Sequence, residues 1–189
     1  MNINKLKNQA SKCKRCRLFK TRRNVVFGEG RSNAKIMFIG EAPGKQEDLE
    51  GKPFCGMAGN ILDNILLTVK IERKNIYITS ILKCRPPRNR LPKNDEIDAC
   101  YFWLEKQIKF IKPKIIVLFG NVATKRVLGL NLSKIMGKII TNKIKYIPTY
   151  HPAAVLYNRK LQDIIVKDIA KIKHIGVYNE KSDCCKDII

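Results

Sequence analysis

Apolar positions fall along this chain in two rhythms. Short, nearly continuous runs recur at A-K-I-M-F-I-G (34–40), N-I-Y-I-T-S (75–80), P-K-I-I-V-L-F (113–119) and I-K-Y-I-P-T-Y (144–150). Runs of this length, bounded by glycine or proline, predict four strands. Between them the spacing changes to that of a helix. Ile61, Leu62, Ile65 and Leu66 mark one face of a helix over 57–69. Asn94 is placed to cap a helix that runs through Ala99, Phe102, Trp103 and Ile108 to Ile111. Gly120-Asn121 opens another helix to Leu128, residues 160–174 form a last one, and residues 2–11 form a short first one. Pro86-Pro87 and Pro92 mark an intervening loop.

Strands that alternate with helices, and that are apolar throughout, predict a parallel sheet covered on both faces. The fold class is therefore α/β, in one domain over 1–175, with 176–189 expected to be a flexible tail. In such sheets ligands bind beyond the carboxyl ends of the strands. Three suggestive segments sit there: Gly40-Glu41-Ala42-Pro43-Gly44, Ser80, and His151-Pro152.

Charge narrows the partner. The chain has 38 Lys and Arg against 16 Asp and Glu, a net charge of +22 over 189 residues. That excess predicts a polyanionic partner, nucleic acid first. The apolar runs are too short to span a bilayer and Met1-Asn2-Ile3-Asn4-Lys5 lacks the apolar core of a signal peptide. The expectation is a protein that is not secreted, makes no membrane contact and works in the cytoplasm, or wherever the genome resides.

Seven cysteines, an odd number, argue against a disulfide framework. Cys13-Lys14-Arg15-Cys16 is a C-x-x-C pair, and Cys84 and Cys100 lie far downstream. A zinc ribbon places its two pairs closer together, so this spacing suits an iron–sulfur cluster at least as well as zinc. Reduced, buried cysteines are the plain alternative. Cys55, Cys184 and Cys185 fit such a centre poorly.

These segments together resemble the family 4 uracil-DNA glycosylases, the iron–sulfur branch of that superfamily. The elements occur in order: C-K-R-C at 13–16, V-V-F-G-E-G at 25–30, G-E-A-P-G-K-Q-E-D at 40–48, G-K-P-F-C-G at 51–56, Y-I-T-S-I-L-K-C-R-P-P-R-N-R at 77–90, Cys100, and Y-H-P-A-A at 150–154. The resemblance implies a three-layer α/β/α fold with a central four-stranded parallel sheet, uracil-DNA glycosylase-like. It implies a [4Fe–4S] cluster on Cys13, Cys16, Cys84 and Cys100. It also implies excision of uracil from double- or single-stranded DNA by a monomer, with a replication clamp as a candidate further partner.

Cutting the bond to uracil leaves an anion on the base and positive charge on the sugar. His151 suits donation to the departing oxyanion. Glu41 suits the positioning of water or the stabilising of the sugar cation, and Glu47 matches a second acid of the family. Gly40, Glu41 and Ala42 offer backbone to the base, and Phe54 matches the family's stacking residue. Ser80 departs from the family, which has Asn there. An amide can pair with two uracil edge atoms, whereas one hydroxyl cannot. Arg85, Arg88, Arg90 and Arg159 are candidate phosphate contacts. Leu156 and Tyr157 are a candidate wedge for the gap left by a flipped base. No lysine sits in a Schiff-base motif, so strand cutting is not expected. A non-catalytic DNA-binding module with a structural metal is the rival reading.

Overall fold

The computed structural model describes residues 2–176. The tail expected over 176–189, with Cys184 and Cys185, lies outside the described residues from 177 onward.

Helix α1 (Ile3–Ser11) leads into the first cysteine pair. Strands β1 (Glu29–Gly30) and β2 (Ile36–Gly40) follow, then helices α2 (Lys45–Glu50) and α3 (Met57–Thr68). Next come β3 (Ile76–Ser80), α4 (Asn94–Ile111), β4 (Ile115–Phe119) and α5 (Gly120–Leu128). The chain continues with α6 (Leu132–Ile135), β5 (Ile140–Thr141), β6 (Lys145–Thr149) and α7 (Leu161–His174).

The sheet order is β1-β3-β2-β4-β6-β5. The four predicted strands form its parallel centre, with Phe38 facing Ile78 on one side and Val117 on the other. Two-residue strands close both edges in antiparallel fashion, Glu29 against Ile78 and Ile140 against Tyr146. These edges were not predicted, because a two-residue strand is defined by its neighbour rather than by any local pattern. The short helices α2 and α6 were missed for a similar reason: K-Q-E-D-L-E and L-S-K-I are too short to show helical periodicity.

Every residue of β2, β3 and β4 is buried. Alternate side chains enter opposite layers. Ile36 and Phe38 pack with Leu62, Ile65, Ile165 and Ile169 of α3 and α7. Met37 and Ile39 pack with Leu104, Ile111 and Ala123 of α4 and α5. The fold is thus the expected three-layer α/β/α. A third cluster, of Leu6, Leu18, Phe27, Leu82 and Trp103, surrounds the cysteines.

One cap differs from expectation. Asn94 is the first residue of α4 rather than its cap. The Glu96 carboxylate instead accepts the Lys93 N–H at 2.9 Å, tying down a backbone donor that the helix leaves free. Among the described residues no helix is long and apolar enough to cross a membrane.

Candidate active site

The carboxyl ends of β2, β3 and β6 open into one cleft of about 590 Å³. Glu41 and Ala42 follow β2, Ser80 closes β3, and His151 follows β6; all line the cleft, as do Glu47 and Phe54. The fold therefore brings together the catalytic and base-binding candidates from segments more than a hundred residues apart.

Gly40 explains how tightly this floor is built. A Cβ there would lie 2.8 Å from the Phe54 ring and 3.2 Å from the Ser80 hydroxyl. Only glycine lets the strand end, the aromatic ring and the serine meet. Phe54 itself is 6% exposed. Its ring stacks on His151 at 5.5 Å between centroids and leans on Phe119 at 5.9 Å. So Phe54 belongs to the core and also floors the cleft.

Phe54 has φ of +50°, a left-handed conformation that costs a side-chain-bearing residue on the order of 1 kcal/mol. Three contacts hold it there. Arg73 Nη2 donates to the Pro53 and Phe54 carbonyls at 2.8 and 3.2 Å. Glu47 Oε1 accepts the N–H groups of Cys55 and Gly56 at 3.2 and 3.0 Å. The Phe54 carbonyl oxygen also packs on Gly59, where a Cβ would come within 2.0 Å of it. The second Glu47 oxygen accepts the Gly44 N–H at 3.0 Å. Glu47 thus straps the loop after β2 to the loop carrying Phe54.

His151 is half-buried. Its Nδ1 accepts the Ala153 N–H at 3.1 Å, which assigns the ring proton to Nε2. Burial lowers its pKa to about 4, so near neutral pH the ring is uncharged and Nε2–H is a donor. Burial raises the Glu41 carboxyl above its ordinary value. No hydrogen bond or ion pair among the described residues engages the side chain of Glu41 or the hydroxyl of Ser80.

The cationic rim divides in two. Arg88 is exposed and joins no ion pair among the described residues, and Arg85 Nε donates to the Asn89 side chain at 2.7 Å. Arg90 is differently placed. It grips the fully buried Glu96 through both Nη atoms, at 2.9 and 2.6 Å, and donates to the Leu91 carbonyl at 2.9 Å. Its guanidinium is committed to holding the loop. Leu156 and Tyr157 are 46% and 92% exposed. Leu156 ends the turn Pro152–Leu156, Tyr157 follows it, and Arg159 is exposed just beyond.

Two contributors carried no readable signal. Asn89 lines the cleft, and only its place between two prolines set it apart. Arg73 acts across 19 and 20 residues of sequence and sits in no motif.

Cys13, Cys16, Cys84 and Cys100 line a separate cavity, walled by Ala10, Val25, Ala99 and Trp103. Three donors reach their sulfurs. Lys83 N–H meets Cys100 Sγ at 3.2 Å, Trp103 Nε1–H meets Cys13 Sγ at 3.2 Å, and Arg22 Nη1 meets Cys84 Sγ at 3.4 Å. Arg15 Nε fastens the first pair to α4 through the Ala99 carbonyl at 3.2 Å. Burial pushes the Cys100 thiol up to about 12 and raises those of Cys84 and Cys16. Bare thiolates are therefore disfavoured, while the converging donors suit sulfurs that carry negative charge shared with a metal centre. Among the described residues no three His, Cys, Asp or Glu converge on a point as ligands of a single ion. The four sulfurs share one cavity instead. Cys55 stands apart, its thiol donating to the Lys52 carbonyl at 3.3 Å.

A parallel α/β sheet thus carries at its strand ends, where such sheets bind ligands, a cleft floored by an aromatic ring and lined by a histidine and an unengaged carboxylate. A sequence model described as the Uracil DNA glycosylase superfamily matches residues 27–173. The chain is 44% identical over 188 residues to the Type-4 uracil-DNA glycosylase of Sulfurisphaera tokodaii, covering 93% of this chain and 86% of that protein. It is 42% identical over 184 residues to the protein of the same name from Saccharolobus solfataricus, covering 91% and 85%. For Archaeoglobus fulgidus the identity to the protein of that name is 41% over 171 residues, covering 85% and 86%. The chain belongs to the uracil-DNA glycosylase superfamily, in its type-4 branch.

Proposed function

We infer that this protein hydrolyses the N-glycosidic bond of uracil in DNA, leaves an abasic site without cutting the strand, and so begins base excision repair. One observation carries the reading: a histidine held neutral with Nε2–H free faces a cleft that also contains an unengaged, half-buried glutamate.

As the bond breaks, electrons pass to the base and a cation develops on the sugar. His151 Nε2–H donates to the uracil oxyanion. A neutral donor suits this role, since it holds the anion without needing to lose its own proton. The ring of Phe54 offers a face for the flipped base. Glu41 stabilises the sugar cation and orients the water that attacks it, accepting the proton the water gives up. Glu47 acts at a distance by fixing the two loops.

Net charge of +22 supports DNA as the polyanion. Arg85, Arg88 and Arg159 are the phosphate contacts in this reading, with Leu156 and Tyr157 entering the gap in the stack. Arg90 holds the loop instead. Ser80 reads the base edge with a single hydroxyl, and selection of uracil over other deaminated bases is accordingly relaxed.

The cysteine cavity is read as the seat of a [4Fe–4S] cluster on Cys13, Cys16, Cys84 and Cys100. Four thiols in one cavity, with three donors aimed at their sulfurs, support it. A cluster held there would supply a covalent staple between the first cysteine pair, the loop after β3, and α4.

Incubation with a uracil-containing oligonucleotide, followed by alkali and a sizing gel, tests the activity. Cleavage after alkali alone is the expected result. Nicking without alkali would overturn the monofunctional reading, and binding without base release would favour the DNA-binding module.

A further inference from the structure

Lys83 is 1% exposed, as deep as the apolar core. None of the ion pairs among the described residues involves it. Its ammonium donates to the Thr79 hydroxyl and to the Ser80 carbonyl, both at 2.6 Å, and both acceptors are neutral. Those partners are themselves fixed. Thr79 donates to the Phe27 carbonyl at 2.9 Å, and Gln107 bridges that same carbonyl and the Tyr77 hydroxyl at 2.7 and 3.0 Å.

A lysine is rarely buried whole, and is then expected to face an opposite charge. Here no carboxylate supplies it. Among the described residues, the groups touching Lys83 that can carry opposite charge are the cysteines. The N–H of Lys83 donates to Cys100 Sγ, Cys84 is the next residue, and Lys83 lines the cavity that the four sulfurs share. A four-iron cluster held by four thiolates is a net anion, and net charge and hydrogen bonds to sulfur set how readily it gives up an electron. Arg22 also reaches a sulfur, but it is partly exposed and water screens its charge.

We propose, resting on the cluster reading above, that Lys83 is the buried counter-cation of the cluster and that its ammonium ties the cysteine lobe to the strand end carrying Ser80. The two sites share no ligand. They share Lys83, which lines the cysteine cavity, donates its backbone N–H to Cys100 Sγ, and holds the Ser80 carbonyl with its ammonium.

Ferricyanide, which takes an electron from the cluster, bleaches its broad visible absorbance, and the bleaching rate provides the test. Lys83→Met keeps an unbranched chain without the charge; Lys83→Arg keeps the charge with a different shape. With the cation gone the cluster is oxidised more easily. The Met variant should bleach about tenfold faster than wild type, or hold less iron per chain, while the Arg variant stays within about twofold. A colourless Met variant beside a brown Arg variant also supports the proposal. Bleaching of the Met variant at the wild-type rate overturns it. Equal impairment of both variants overturns it too, since shape rather than charge would then matter. Wild-type protein that carries no iron would instead overturn the cluster reading itself, before any variant is compared.

Discussion

The cleft and the cysteine cavity adjoin along the loop after β3 but treat polar groups in opposite ways. In the cleft, Glu41 and Ser80 have side chains with no partner among the described residues, and His151 keeps one ring nitrogen free. Around the cysteines the polar groups are committed: Arg22, Lys83 and Trp103 all point a donor at sulfur. A site that binds and releases a substrate must leave hydrogen-bonding capacity open. A site that staples the fold fills it. The two meet at the end of β3, where Ser80 faces the cleft and its carbonyl is held from the cysteine side.

The largest effect that could break this contrast is at His151. His151→Ala should lower kcat for uracil excision about 100- to 1,000-fold, the usual loss for one oxyanion donor. Single-turnover kinetics would read it, and a loss below about tenfold would remove the histidine from the chemistry.

The pH profile comes next. In the proposed mechanism excision requires Glu41 ionised and His151 neutral. Burial raises the first above its ordinary value and lowers the second to about 4. The rate should fall as pH drops through the raised glutamate value, with no separate step from His151 near about 6.5, where a free histidine would titrate. Glu41→Gln should abolish that acid limb. A step near 6.5 that persists in Glu41→Gln would contradict a neutral, locked imidazole.

Ser80→Asn sharpens the reading of specificity. A second edge contact should favour uracil over hypoxanthine and xanthine by roughly 5- to 150-fold, from about 1–3 kcal/mol per bidentate pair. Unchanged rates and preference would mean that Ser80 does not read the base.

The smallest effect separates two arginines. Arg88→Ala should weaken DNA binding evenly across sequences and reduce the salt slope by about 1, without changing Tm. Arg90→Ala should lower Tm, because it strands the buried Glu96 carboxylate. A thermal melt and a salt titration on each variant would show whether the split holds.

The four parallel strands and the long helices were legible in the sequence because each is a local matter: β2 and β4 are apolar throughout, and α3 repeats its apolar residues with the period of a helix. Glu41, Phe54 and His151 stand out in the sequence as motif residues and line one cleft, and the four cysteines stand out as a spacing and share one cavity. What the chain could not reveal depended on partners distant in sequence. Glu47 looked like a second catalytic acid, yet its carboxylate binds three backbone N–H groups across two loops. Arg90 looked like a phosphate contact until Glu96 was seen to hold it. Lys83 read as one more positive charge in a basic chain. The sequence by itself determined the order of the four parallel strands and the long helices, the family and which residue types stand at the strand ends. Only the tertiary structure decided which polar groups are satisfied and which stay open, because a hydrogen bond is settled by distance in space, and the folded chain places residues 3 to 90 positions apart within 3.5 Å of one another.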